Sequence, residues 1–135
     1  LAKLDWLNDG VMINSQGHHQ SDFAAGTLEH CQMKGIQLQA WGCLAQGRFA
    51  EQGLYSEHDN VKKTAHYVAQ LANQYGVESE AIVLAFLLRH PAGIQPVIGT
   101  TNLERIKASA VATQINLSRE EWYNLYVYSR GQALP

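Results

Sequence analysis

The residues best suited to chemistry lie in one stretch, Gln95 to Ala108, which reads Q-P-V-I-G-T-T-N-L-E-R-I-K-A. Pro96-Val97-Ile98 is a short apolar run closed by Gly99, and it predicts a buried strand. Thr100, Thr101 and Asn102 are small, polar and loop-forming. Leu103 then opens a segment in which Ile106, Ala110 and Val111 fall near helical spacing. A strand, a tight polar turn and a helix aim free backbone N–H groups and the positive helix end at one spot, which suits an anion. Arg105, in the first turn, brings a planar cationic fork to the same spot. Phosphate is the anion such a set fits. Any βα junction has this backbone geometry, so the stretch alone also fits an ordinary turn followed by a surface arginine.

The elements that must position this stretch follow from the rest of the pattern. Thr27 to Lys34 predicts a short helix, with Leu28 and Cys31 three apart and Gly35 as terminator. Ile36 to Gly42 predicts a strand, because Ile36, Leu38 and Ala40 alternate with Gln37, Gln39 and Trp41. Gly42-Cys43-Leu44-Ala45-Gln46-Gly47 is the loop after it, and its two glycines permit unusual backbone angles or the close approach of a ligand. Arg48 to Asn60 is expected as a polar surface loop. Val61 to Tyr75 predicts a helix with Val61, Ala65, Val68, Leu71 and Ala72 on one stripe, capped by Asn60 or Asp59 and ended by Gly76. Ser79 to His90 predicts a second helix, apolar nearly all round and hence deeply buried, ended by Pro91. Ser118-Arg119-Glu120-Glu121 is a capping box that opens a last helix to about Arg130, stopped by Gly131. Nearer the start, Leu1 to Asp9 reads as a loop end or one helical turn and Gly10 to Gln20 as an irregular loop. His18-His19 in that loop has no nearby cysteine or carboxylate to complete a metal site.

Strands alternating with helices predict parallel β/α units. Only two strong strands are present, and two parallel strands do not make a stable sheet alone. Something has to supply their neighbours.

Composition narrows the classes. The 135 residues make one domain's worth of chain, read as a single domain over 1–135. At 46% hydrophobic and 16% charged, the chain is globular rather than disordered. The net charge is −2 and no basic cluster exceeds Lys62-Lys63, which argues against nucleic acid or an anionic membrane as partner. The longest apolar run, Ala81 to Leu88, is far too short to cross a bilayer. Cys31 and Cys43 are few and unpatterned, which fits reduced thiols in the cytoplasm better than a disulfide framework. The first residue is Leu1, so either the chain is part of a longer one or its numbering ignores the true start.

Taken together, A-W-G-C-L-A-Q-G (Ala40–Gly47), A-I-V-L-A-F-L-L-R-H-P (Ala81–Pro91) and P-V-I-G-T-T-N-L-E-R-I (Pro96–Ile106) closely resemble the C-terminal third of an aldo-keto reductase. The ending L-S-R-E-E-W-Y-N-L-Y (Leu117–Tyr126) is similar to one bacterial branch of that family, and the match runs from about Gly26 to Pro135. The resemblance implies an α/β fold that is part of a (β/α)8 TIM barrel. Its two β/α units would be barrel strands 7 and 8, with extra helices. It implies NADP(H) as cofactor and hydride transfer to an aldehyde or ketone, the carbonyl substrate being engaged only in a complete barrel. Residue by residue, it places Trp41 where an aromatic stacks on the nicotinamide, against the alternative of a core tryptophan. It places Leu44 in the loop bordering the pyrophosphate and Arg105 where an arginine grips the adenosine 2′-phosphate. Thr100 falls where a hydroxyl donates to that phosphate, with Thr101 and Asn102 completing the turn. The chain also departs from the family pattern. Gly42 replaces a common serine, Gly99 a common lysine, and Ala108-Ser109 the usual Glu-Asn that meets the adenine, so weaker adenosine binding is expected. The family's catalytic Asp, Tyr, Lys and His belong to the first four strands, and none of the six tyrosines or six histidines here has that setting. No catalytic residue and no metal ligand is assigned. The expected partners are therefore NADPH, bound weakly or not at all by the chain alone, and either a missing N-terminal barrel half or further copies of the same chain. The alternative is a free-standing, oligomerising, non-catalytic relic of the barrel.

Overall fold

A computed structural model describes residues 26–131. The elements expected over Leu1–Asp9 and Gly10–Gln20, with His18-His19, lie outside the described residues. The described order is α1 (Thr27–Lys34), β1 (Gln39–Trp41), α2 (Asp59–Tyr75), α3 (Ser79–Leu88), β2 (Gln95–Val97), α4 (Leu103–Val111) and α5 (Arg119–Arg130). Short 3-10 turns occupy Ala45–Gly47, Glu51–Tyr55 and Ala112–Gln114. The described residues are thus α/β but mostly helical, with one sheet of two parallel strands among them. The register pairs Gln39 with Gln95, Ala40 with Pro96 and Trp41 with Val97.

The helices carry the core. In α2 the expected stripe of Val61, Ala65, Val68, Leu71 and Ala72 is buried throughout. In α3 every residue from Ala81 to Leu87 is buried, as an all-round apolar helix requires. From α5, Leu125 and Tyr126 enter the same cluster, and Trp122 stacks on Phe86 with ring centroids 4.8 Å apart. The Trp122 indole N–H donates to the Phe86 carbonyl at 2.9 Å, so its one polar group is satisfied. Each full burial of a Leu, Val or Phe stabilises by roughly 1.5–3 kcal/mol over exposure.

The capping box at α5 forms as the sequence predicts. Glu121 N donates to Ser118 Oγ at 3.2 Å, and Ser118 N donates to Glu121 Oε2 at 2.6 Å. Glu121 also ties α5 to the end of α2. It accepts from the Tyr75 hydroxyl at 2.8 Å and from the Gln74 amide at 3.2 Å.

Four expectations are corrected. The segment from Arg48 to Asn60 is not a surface loop, because Phe49 is 1% exposed and anchors it in the core. Gly53 in that segment is buried so tightly that a Cβ would collide with the Arg48 carbonyl and come within 2.8 Å of Ala65 Cβ. The cap of α2 is neither Asn60 nor Asp59. The cap position is His58, which makes no side-chain cap bond, and Asn60 sits inside the helix with its amide donating to the Ser129 carbonyl at 3.1 Å. The strand expected over Ile36–Gly42 shortens to Gln39–Trp41, and Ile36 is left 50% exposed. The strand expected over Pro96–Ile98 pairs as Gln95–Val97, and it is not buried on both faces, since Val97 is 41% exposed. The reason is shared by both strands. Each has a neighbour on one side only among the described residues, so pairing stops where the partner stops, and one face of the pair is uncovered.

Candidate functional site

A cleft of about 490 Å³ opens at the C-terminal ends of β1 and β2. One wall is the loop Gly42–Gly47 that leaves β1, and the other is formed by Val97, Gly99, Thr100 and Arg105 at the β2–α4 junction. Two glycines sit at the strand ends. At Gly42 and Gly99 no atom lies within 4 Å of where a Cβ would stand, so a ligand can approach the backbone there.

Of the residues the sequence singled out, Leu44, Thr100 and Arg105 line this cleft together. Arg105 is exposed, and the one ion pair within 4 Å among the described residues joins Lys107 to Glu104. Its guanidinium therefore has no carboxylate partner among them. Thr100 Oγ1 accepts from Asn102 N at 3.2 Å, which leaves its hydroxyl proton free to be donated. Trp41 flanks the cleft. It ends β1 next to Gly42, in register with the cleft-lining Val97, and it is 61% exposed. It is not a core tryptophan.

Thr101 and Asn102 do not line the cleft. Asn102 is the N-cap of α4, its Oδ1 accepting from Glu104 N at 3.0 Å and Arg105 N at 3.1 Å. The expectation of free N–H groups awaiting an anion is corrected accordingly, since two of the first-turn donors are already turned onto the cap. The side chains that remain to receive an anion there are Arg105 and the Thr100 hydroxyl.

Sequence reading missed other features of the cleft. Ala45, Gln46 and Gly47 form a left-handed run with φ of 47°, 56° and 79°. Left-handed backbone is costly for the first two, and such strain concentrates at ligand sites. Gly47 was the only signal for it. Cys43 also lines the cleft, with its thiol donating weakly to the Val97 carbonyl at 3.5 Å. Burial pushes this thiol up from its ordinary value despite several backbone hydrogen bonds that pull the other way, so it is a packed side chain and not an activated nucleophile. Glu51 and Glu80 line the cleft as well. Glu80 is legible as an acidic residue in the first turn of α3, but nothing in one dimension sets it beside Arg105. Ser109, at the position expected to meet an adenine, is 6% exposed with its hydroxyl unpartnered, and it lies off the cleft lining. Among the described residues, no three His, Cys, Asp or Glu side chains are grouped to hold a metal, and no helix is long and apolar enough to cross a membrane.

Sequence comparison shows the class to which this parallel pair and its cleft belong. The aldo/keto reductase family model matches residues 4–126, and the chain belongs to this family. Among its relatives is 6-dehydroglucose reductase of Agrobacterium fabrum (strain C58), 36% identical over 82% of this chain and 35% of that protein. Another is the oxidoreductase YcsN of Bacillus subtilis (strain 168), 32% identical over 91% of this chain and 40% of that protein. A crystal structure of the thermostable aldo-keto reductase Tm1743 with the inhibitor epalrestat matches with a TM-score of 0.60 and 30% identity. That match covers 77% of this chain and 34% of the other. The chain thus spans little more than a third of the length of these relatives.

Proposed function

We propose that this chain forms the cofactor-gripping part of an NADP(H)-dependent carbonyl reductase, contributed by the last two β/α units of a (β/α)8 barrel. The carrying observation is that Arg105, Thr100 and Leu44 converge on one cleft at the C-terminal ends of two parallel strands, with Trp41 beside it. Barrel enzymes carry their sites at that end. The cleft fits the phosphate-bearing half of a dinucleotide, since it offers one unpaired guanidinium, one free hydroxyl donor and two strand ends bare of side chains. Arg105 pairs with the 2′-phosphate through its planar fork, and Thr100 donates to the same group. Leu44 keeps water off the pyrophosphate, and Trp41 presents a ring face to the nicotinamide. When bound, the reduced cofactor supplies the hydride for a carbonyl carbon. The proton comes from outside this chain, whose tyrosines lie on helices or, for Tyr55, on an exposed turn.

Relatives named for reducing 6-dehydroglucose and norsolorinic acid support a carbonyl compound as the substrate class. We place the protein in the cytoplasm on its two unpaired thiols. Alone, the chain is expected to show no NADPH-dependent carbonyl reduction above blank, and turnover by the pure protein would contradict this. The direct test is calorimetric titration with adenosine 2′,5′-bisphosphate. Weak binding is expected, and Arg105→Ala should reduce it about ten- to a hundredfold. Binding indifferent to Arg105→Ala would sink the reading.

A second reading is favoured by the uncovered sheet. Trp41 and Val97 share one exposed face, and each strand has a free edge among the described residues. Copies of the chain would then associate through these edges. Sedimentation should show mass rising with concentration, and a clean monomer at high concentration would count against it.

A further inference from the structure

The two free edges of the sheet are not equivalent. Gln95 N donates to the Leu38 carbonyl at 2.9 Å, and the register sets Ala40 against Pro96. Along a strand, the main-chain groups of successive residues point to opposite sides of the ladder. Gln95 and Val97 therefore turn theirs to β1, and Pro96 turns its own to the free edge of β2. On β1, Ala40 faces β2, while Gln39 and Trp41 face the free edge. Proline has no N–H, so the edge of β2 lacks a donor at its centre. The edge of β1 keeps a donor and an acceptor at both Gln39 and Trp41, and no main-chain group of another described residue bonds to them. Gln39–Trp41 also carries no charge and no proline, the usual devices that blunt an edge.

Such an edge is complementary in charge to itself turned round. A two-fold axis through Ala40, perpendicular to the sheet, sets Gln39 of one copy against Trp41 of the other and the reverse. Positive N–H then meets negative C=O in both pairs, with Ala40 facing Ala40 between them. The side chains of Gln39 and Trp41 stand on the exposed face and not in the plane of the ladder, so neither blocks the approach. Resting on the second reading above, we infer that two copies of this chain pair antiparallel through the free edge of β1, in register about Ala40, and that Pro96 stops the assembly at a dimer. Two competent edges would let the sheet grow copy by copy, whereas one competent edge closes after a single pairing.

Sedimentation of the whole chain over a concentration series tests this. Wild type should pass from monomer to dimer and no further. Gln39→Pro removes an outward donor that β2 does not use, and it should raise the dimer dissociation constant about tenfold or more. Pro96→Val gives the edge of β2 its missing donor and should carry the mass beyond a dimer. A folded Gln39→Pro protein that pairs like wild type overturns the inference, as does a Pro96→Val protein that still halts at a dimer. If Gln39→Pro does not fold, amide exchange of wild type decides. The Gln39 and Trp41 amides should become protected as concentration rises, and exchange indifferent to concentration overturns the inference. Wild type that grows past a dimer also overturns it but leaves edge association standing. Wild type that stays monomeric throughout removes edge association and this inference together.

Discussion

In α3 every side chain from Ala81 to Leu87 is buried, whereas in the parallel pair Trp41 is 61% and Val97 41% exposed. Both regions were read from apolar runs, yet only one of them finds its partners among the described residues. The helices α2, α3 and α5 cover one another, with Phe49 and Leu117 closing the cluster. β2 touches α3 and Ala40 of β1 packs on the core, while among the described residues nothing covers Trp41 and Val97 on the other face. A helix satisfies its own backbone hydrogen bonds and needs neighbours only for its side chains. A strand needs neighbours for both. The candidate site sits on the region that lacks them, so cleft and core should respond differently to the same kind of change.

The largest expected effect is on the covered side. Phe86→Ala should cost about 3–5 kcal/mol, since it removes a fully buried ring stacked on Trp122. Val97→Ala should cost less than about 1 kcal/mol, because much of Val97 is already in water. Urea unfolding of both variants measures the contrast, and equal losses would mean that the sheet face is covered in solution.

Glycines give the next contrast. Gly53→Ala forces a methyl into the Arg48 carbonyl and should cost about 1–3 kcal/mol. Gly99→Ala, with open space around it, should change stability little and act on ligand binding instead. Thermal melts and calorimetry separate the two effects. Ala45 reverses the usual rule. Its φ of 47° makes Ala45→Gly neutral or stabilising by up to about 1 kcal/mol, while Ala65→Gly inside α2 should cost about 1 kcal/mol or more.

The smallest effect is electrostatic. Burial raises the Glu121 carboxyl, but bonds from Ser118 N, Tyr75, the Ser118 hydroxyl and Gln74 outweigh it and hold the group below the ordinary glutamate value of 4.5. A depressed carboxyl contributes stability that is fully present above pH 4.5 and lost as pH falls through the lower folded value. Tyr75 carries the reciprocal shift. Burial and then the Glu121 hydrogen bond raise its hydroxyl above the ordinary 10.0, so its contribution is present below that pH and lost as pH rises through the folded value. Glu121→Gln should flatten the acid limb of a stability-against-pH curve, and Tyr75→Phe should flatten the alkaline limb. Limbs unchanged by either substitution would place the titrating groups elsewhere.

Much of this was legible in the sequence because it is local. The capping box at Ser118, the stripe of α2 and the all-apolar α3 each follow from spacing within one segment. The parallel pairing follows from the alternation of strands with helices, and Leu44, Thr100 and Arg105 stand out through the motifs that resemble the family. What was not legible is tertiary. Phe49 looks like a loop residue until the fold brings it into the buried cluster that also holds Val61 and Leu71. Asn60 and Asn102 are the same residue type near the start of a helix, yet one lies inside α2 and reaches across to Ser129 while the other caps its own α4. The acid Glu80 is 25 residues from Arg105 in the chain, and only the return of β2 brings it to the cleft.

The central claim is that the exposed end of the parallel pair is a dinucleotide surface, with Trp41 and Arg105 acting on one ligand. Tryptophan emission followed during NADPH titration tests it most directly, comparing wild type with Trp41→Phe and Arg105→Ala. The account predicts quenching in wild type that disappears in Trp41→Phe and moves to higher concentration in Arg105→Ala. Quenching that persists unchanged in Trp41→Phe, arising from Trp6 or Trp122, would contradict it.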